Sequence, residues 1–103
     1  MRERIPCVYI LARSYNGTLY VGVTSNLIDR IIQHRHGTFD GYTERYGIKR
    51  LVYYEVAETM EMAISREKQL KRYRREFKRN LIELENPAWH DLAVGLGLPP
   101  LAA

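Results

Sequence analysis

The chain has 103 residues, 46% of them hydrophobic and 27% charged, with a formal net charge of +4. These values predict one soluble globular domain, which we place at residues 1–92 because the chain after it, residues 93–103, contains Gly95, Gly97, Pro99 and Pro100 and is expected to be a loose C-terminal tail. The sequence has no apolar run of about 18 residues and no apolar segment near its N-terminus, so we expect neither a membrane span nor a signal peptide, and the lone Cys7 suits a reducing cytoplasm.

The first predicted elements are two strands, at residues 7–13 and 19–24. Asn16-Gly17 between them is a strong short-range signal for a β-hairpin. A two-residue turn there pairs Tyr9 with Thr24. Tyr9 and Tyr20 then lie on the same face of the hairpin, and Gly22 leaves open space on that face. A slip of one residue would undo this assignment.

A helix follows the hairpin, with Thr24 or Ser25 as its N-cap and Gly37 just after its end. Arg30 and His34, one turn apart, lie on one side of this helix. Its buried stripe is formed by Leu27, Ile28, Ile31 and Ile32. After the helix we predict a polar loop that can include one helical turn at residues 38–47, and a third strand at residues 50–56.

Thr59 is a suitable N-cap for a second helix, whose apolar positions are Met60, Ala63, Ile64 and Leu70. Glu67 lies on that same apolar stripe. A buried carboxylate costs several kcal/mol unless it is paired or metal-bound. Two interpretations stay open here: a salt bridge to Arg30 or a neighbouring lysine, or ligation of Mg²⁺ through one carboxylate and waters.

A bend is expected within residues 71–75, and a third helix after it ends at Asn86-Pro87. Residues 66–79 contain eight basic and two acidic side chains, a net charge of +6, whereas the rest of the chain carries −2. Such a patch attracts phosphate backbones, although a solvated helical surface is the plain alternative. The candidate nucleic-acid-binding residues are Lys68, Lys71, Arg72, Arg74, Arg75 and Lys78.

Several common site motifs are absent. The three histidines and one cysteine do not have zinc spacing, and neither a P-loop nor a Rossmann glycine pattern is present, so we expect no organic cofactor. Taken singly, Tyr9 and Tyr20 are ordinary strand tyrosines. His34 alone is typical of a surface residue near a helix C-terminus.

The ordered combination is more specific than its parts. It consists of Cys7-Val8-Tyr9, Tyr20-Val21-Gly22, Thr24-Ser25-Asn26-Leu27, Arg30 and His34. This order resembles the GIY-YIG endonuclease family, and the sequence further on, to Asn86-Pro87, Trp89 and Asp91-Leu92, is similar to its small single-domain members. The chain departs from the family where Cys7 replaces the first glycine and where valine replaces isoleucine at both central positions. The family also commonly has tryptophan at or near Tyr73 and Phe77.

The resemblance implies an α+β fold, with a small three-stranded antiparallel sheet flanked by helices. It implies an endonuclease that hydrolyses phosphodiester bonds in nucleic acid, with DNA as the expected substrate and one Mg²⁺ or Mn²⁺ ion as cofactor. Glu67 would bind the metal, Tyr9 would be the general base, and Tyr20 would position water or phosphate or share the base role. Arg30 would brace the phosphate and His34 would transfer a proton or contact phosphate. The alternative is a nucleic-acid-binding module on the same fold; a protein-interaction adaptor would leave these polar positions unexplained.

Overall fold

A computed structural model describes residues 4–101. Its antiparallel sheet has the strand order β2-β1-β3, with β1 at Cys7–Ala12, β2 at Leu19–Thr24 and β3 at Arg50–Val56. The helices are α1 (Leu27–His36), α2 (Gly41–Tyr46), α3 (Met60–Arg72) and α4 (Arg75–Glu85), and a short 3-10 turn covers Val94–Leu96. This arrangement confirms the predicted α+β class with a three-stranded antiparallel sheet.

The central strand β1 divides the core in two, because successive side chains of a strand point to opposite faces. One face, which we call the apolar face, is covered by α3 and α4; its buried residues are Val8, Ile10, Ala12, Val21, Val52, Ala63, Leu70, Ile82 and Trp89. The other, the tyrosine face, is covered by α1; its buried hydrophobic residues are Tyr9, Leu11, Ile31, Ile48, Leu51 and Ala93. The candidate tyrosines therefore lie on the α1 side of the sheet.

The β1–β2 hairpin has a longer loop than predicted. Arg13 N donates to Thr18 O at 3.0 Å and Gly17 N to Ser14 O at 2.9 Å, so four residues form the loop. A two-residue type I′ turn needs positive φ at both central residues, but only Asn16 has it, at 55°. Tyr9 therefore pairs with Gly22, and the predicted pairing with Thr24 is wrong by two residues. A shift of two preserves the faces, so Tyr9 and Tyr20 still share one.

The helix limits agree with the sequence except in two places. The N-cap of α1 is Asn26, whose Oδ1 accepts from Asp29 N, and not Thr24 or Ser25, because Thr24 still belongs to β2. The predicted loop at residues 38–47 contains the six-residue helix α2, capped by Asp40. The stripe of α1 is also less buried than predicted, since Ile28 is 38% exposed. The predicted caps at Gly37 and Thr59, the bend between α3 and α4, and the end of α4 before Asn86 are confirmed.

After α4 the chain returns to the sheet. Trp89 is fully buried, and Leu92 N donates to Leu51 O at 2.7 Å. Leu96 and Leu98 pack against the tyrosine face, so this part of the predicted tail is held against the sheet, while the domain boundary at residue 92 stays a prediction. Within residues 4–101, every helix is too short or too polar to cross a bilayer.

Candidate active site

Tyr9 lies fully buried in the middle of the sheet, with its hydroxyl 2.8 Å from Nε2 of His34 on α1. Gly22, opposite Tyr9 on β2, makes this placement possible. A Cβ added to Gly22 would lie 2.3 Å from Cζ of Tyr9, so the tyrosine ring occupies the space that a side chain would need. The open space predicted at Gly22 is therefore filled by the ring, which is directed towards α1.

His34 is also fully buried, and both of its ring nitrogens have partners. Nδ1 lies 3.0 Å from the hydroxyl oxygen of Thr43 on α2. Burial, and then the positive charge of Arg30, lower the pKa of His34 to about 4. The imidazole is therefore neutral at neutral pH, and one of its nitrogens has a lone pair that can accept a proton.

Tyr20, on the same face, donates its hydroxyl hydrogen bond to Oδ2 of Asp40 at 3.2 Å. Burial raises the pKa of Tyr20 to about 12, and the charges of Asp40 and Glu67 act in the same direction. Although burial acts to raise the pKa of Asp40, hydrogen bonds from the Thr43 and Tyr42 amides hold it below its usual value. Tyr20 therefore keeps its proton, which is directed to an ionised carboxylate.

Arg30 lies beside the buried pair. Its guanidinium carbon is 3.7 Å from the ring centroid of Phe39, and its Nη1 donates to Val23 O at 3.3 Å. Burial raises the pKa of Tyr9 well above the ordinary tyrosine range, and interaction with the Arg30 guanidinium opposes that rise. The charge of Arg30 thus acts on the pKa values of both Tyr9 and His34.

Glu67 lies on α3, and its charge is one of the influences that raise the pKa of Tyr20. Its side chain is 15% exposed and pairs at 3.5 Å with Lys71, which is itself 54% exposed. Of the two sequence interpretations, a lysine pair is present and a pair with Arg30 is not among the contacts of residues 4–101. Those residues also contain no cluster of three or more histidine, cysteine or acidic side chains that could hold a metal ion together. One loosely paired carboxylate fits a largely hydrated Mg²⁺ ion and does not fit zinc.

Most of the predicted nucleic-acid-binding residues are exposed: Lys68, Lys71, Arg72, Arg74 and Arg75, with Lys78 half-buried. Arg75 Nη2 donates to the carbonyl oxygens of Asn16 at 2.7 Å and Gly17 at 2.8 Å, so α4 is tied to the hairpin loop. A surface concavity of about 570 Å³ lies at this junction and is lined by residues 16–19, Arg75 and Lys78. Burial and the charge of Arg75 lower the pKa of Lys78.

The structure thus brings Tyr9, Tyr20, Arg30 and His34 together, with Glu67 near Tyr20. Asn80 lines a different concavity, beside Phe77. Sequence analysis missed three neighbours of the site: Phe39, Asp40 and Thr43. For Asp40 a signal existed, since aspartate before a short helix is a typical N-cap; for the other two there was none.

Comparison with known proteins gives a consistent result. Residues 5–80 match the profile described as the GIY-YIG catalytic domain. The chain is 41% identical over 75 residues to a UPF0213 protein of Clostridium perfringens, covering 73% of this chain and 80% of that protein. It is 37% identical over 76 residues to a UPF0213 protein of Haloquadratum walsbyi, covering 74% and 84%.

The solution NMR structure of a UPF0213 protein from Bacillus halodurans resembles this fold with a TM-score of 0.53 and 28% sequence identity. The match covers 92% of this chain and 99% of that one. Because the family profile spans most of the chain and includes the strand tripeptides and the helix with Arg30 and His34, the chain belongs to the GIY-YIG family.

Proposed function

We propose that this chain is a divalent-metal-dependent endonuclease that hydrolyses phosphodiester bonds in nucleic acid, with DNA as its substrate. The observation that carries the proposal is the 2.8 Å contact between the Tyr9 hydroxyl and a neutral, buried His34, beside Arg30. Any buried tyrosine hydroxyl needs a hydrogen-bond partner, but a neutral histidine is a partner that can also accept its proton.

Tyr9 acts as the general base through His34. Burial raises the pKa of Tyr9, so a free tyrosinate would be costly at neutral pH. The hydroxyl can avoid that state by giving its proton to Nε2 of His34 as it takes one from the attacking water. The bond from the water oxygen to phosphorus forms, the bond from phosphorus to the leaving oxygen breaks, and the leaving oxygen takes a proton from solvent.

Arg30 connects substrate binding to this proton transfer. A planar guanidinium matches the oxygens of a phosphate, and the Arg30 charge lowers the pKa of His34. The negative charge of a bound phosphate would offset that effect and make His34 a better proton acceptor. Because Tyr9 is fully buried beside Arg30, movement of the guanidinium onto the phosphate would also open the way to its hydroxyl.

Tyr20 and Glu67 act on the other side of the phosphate. Tyr20 directs its proton to Asp40, so its oxygen can accept a hydrogen bond from the attacking water. Glu67 would hold a single Mg²⁺ or Mn²⁺ ion, which supplies charge neutralisation at the phosphate and at the leaving oxygen. The basic residues of the segment 68–78 bind the nucleic-acid backbone, and the cytoplasm stays our expected location because Cys7 is a lone, buried thiol.

Cleavage of plasmid DNA by the purified protein, with Mg²⁺ or Mn²⁺, tests the proposal. Glu67→Gln should lower the single-turnover rate by about 10³-fold or more while leaving the melting temperature unchanged, since several kcal/mol of charge stabilisation are lost. Glu61→Gln, an exposed acid on the same helix, is the control and should cleave normally. Full activity of Glu67→Gln would remove Glu67 from the site. DNA binding without cleavage by the wild type would support the binding-module alternative.

A further inference from the structure

The direction of the hydrogen bonds through His34 can be worked out from its neighbours. The Thr43 hydroxyl lies 3.1 Å from the backbone carbonyl of Asp40, and a carbonyl can only accept. The single proton of that hydroxyl is used there. At its second contact, 3.0 Å from Nδ1 of His34, the Thr43 oxygen is therefore the acceptor and Nδ1 carries the proton.

The opposite direction leaves a proton without a partner. If Thr43 donated to Nδ1, then Nε2–H of His34 would donate to Tyr9. The hydroxyl proton of Tyr9 would then have no acceptor among residues 4–101. An unpaired buried donor costs about 1–3 kcal/mol. The contacts of Thr43 and those of Tyr9 thus both assign the proton to Nδ1 of His34. Because Tyr9, His34 and Thr43 are all fully buried, water does not readily replace any of these hydrogen-bond partners.

We propose that Thr43 is a positioning residue that holds His34 in the tautomer whose unprotonated Nε2 receives the proton of Tyr9. Thr43 itself is held in place by the start of α2, where Oδ1 of Asp40 accepts from Thr43 N at 3.1 Å. The short helix α2, which is longer than the single turn expected from the sequence, therefore fixes which way a proton can move at the tyrosine. The catalytic consequence rests on the proposed function; the tautomer itself does not.

The two matched variants are Thr43→Ser, which keeps the hydroxyl, and Thr43→Val, which keeps the shape but cannot accept from Nδ1. The full chain labelled with ¹⁵N-histidine gives the tautomer directly, because protonated and unprotonated ring nitrogens have well-separated NMR shifts. Spectra of His34→Gln identify the His34 signals among those of His36 and His90. We expect protonated Nδ1 in the wild type and in Thr43→Ser, and a gain of the Nε2–H tautomer in Thr43→Val.

Steady-state cleavage kinetics provide the second readout. Thr43→Val should lose about 10²-fold or more in kcat, as a histidine in the wrong tautomer costs about 10⁴-fold in serine-protease triads. Its KM should stay close to that of the wild type, because Thr43 is buried and does not contact phosphate, and Thr43→Ser should restore kcat.

An Nε2–H tautomer in the wild type would overturn the inference, as would an unchanged tautomer or full kcat in Thr43→Val. If Thr43→Val does not fold, the tautomer of His34 in the wild type still tests the assignment, and Thr43→Ala replaces Thr43→Val in the comparison with Thr43→Ser. A wild type that shows the expected tautomer but never cleaves DNA would contradict the proposed function and leave the assignment of Thr43 standing.

Discussion

Neighbouring residues of β1 belong to two different kinds of surface. Ile10 and Tyr9 are both fully buried, yet Ile10 packs in an apolar cluster, whereas the Tyr9 hydroxyl begins a chain of hydrogen bonds through His34 and Thr43. Burial therefore does not separate the structural residues of this protein from those of the proposed site. The buried polar atoms do separate them, since each requires a specific partner that packing alone does not supply.

The two faces also differ in what a substitution removes. On the apolar face a truncated side chain loses burial and leaves a cavity, which reduces the free energy of unfolding. On the tyrosine face the loss of a hydroxyl keeps most of the burial and breaks the proposed proton path. Substitutions at two adjacent positions of β1, one on each face, can therefore test whether the apolar face determines stability and the tyrosine face determines turnover.

The largest effect is expected at Tyr9. Tyr9→Phe keeps the ring and should lower single-turnover cleavage by ~10²–10⁴-fold, while DNA affinity changes little. Tyr20→Phe should likewise impair turnover more than DNA binding. Arg30→Lys should do the same, because lysine keeps the positive charge and lacks the planar guanidinium. Cleavage rates, DNA affinity and melting curves of the three variants check this. Near-wild-type cleavage by both phenylalanine variants would disprove the mechanism.

The opposite result is expected one residue further along. Ile10→Ala should lower the free energy of unfolding by about 2–5 kcal/mol, as for other buried isoleucines, because it opens a cavity on the apolar face. At a temperature where the variant is still folded, its cleavage rate should remain near that of the wild type. Urea denaturation and single-turnover kinetics on the same preparation measure both. A loss of turnover in folded Ile10→Ala would mean that the two faces are not separate.

Gly22 offers a way to move the Tyr9 ring without changing it. Gly22→Ala places a Cβ 2.3 Å from Cζ of Tyr9, so the ring must shift from the position in which it contacts His34. We expect turnover to fall by about 10-fold or more, since small misplacements of reacting groups cost about 10²-fold in other enzymes. Gly95→Ala is the control, because a Cβ there meets nothing within 4 Å. Equal activity of the two variants would argue against a fixed position for Tyr9.

Much of this comparison could be predicted from the sequence. The two-residue period of β1 and β2 was enough to place Tyr9 and Tyr20 on one face, and it survived a register error because that error was an even number of residues. Helix caps at Gly37 and Thr59 were predictable because they depend on local chemistry.

The remaining contacts depend on tertiary packing. Nothing in the sequence near Thr43 indicates that its hydroxyl meets a histidine nine residues earlier, since that contact depends on how α1 and α2 pack. The stacking of Arg30 on Phe39 is likewise a tertiary contact made across the loop after α1. For Glu67, two interpretations were open from the sequence; the lysine pair is present, and metal binding stays a prediction.

A smaller effect is expected from pH. An unfolded histidine has a pKa near ~6.5, whereas His34 in the folded protein has one of about 4, mainly through burial and then through Arg30. Between these values the unfolded chain binds a proton that the folded chain does not. Stability is therefore fully present above pH ~6.5 and falls towards pH 4, by up to about 3 kcal/mol. Asp40 does not contribute in this window, because its pKa lies below its usual acidic value.

Urea unfolding at pH 7, 6 and 5 measures this effect. His34→Gln should flatten the pH dependence, whereas His36→Gln, an exposed control at the end of the same helix, should not. Parallel curves for the wild type and His34→Gln would show that His34 is not held in the neutral form by the fold.

The smallest effect is expected at the basic segment, which belongs to the helices of the apolar face. Arg72 and Arg74 are exposed and form no ion pair within the part of the chain that the structure describes, so replacing both with alanine should not disturb the fold. Affinity for unrelated DNA sequences should fall about equally, and the slope of log affinity against log salt should flatten by roughly one unit for each phosphate that the variant no longer binds. Arg45→Ala, an exposed basic position outside the segment, is the control. Turnover of bound DNA should be unchanged, because in the proposed mechanism these side chains only hold the nucleic-acid backbone and the residues of the tyrosine face carry out the reaction. Weaker binding confined to one DNA sequence would indicate base readout, and slower turnover at saturating DNA would place the segment in the reaction itself.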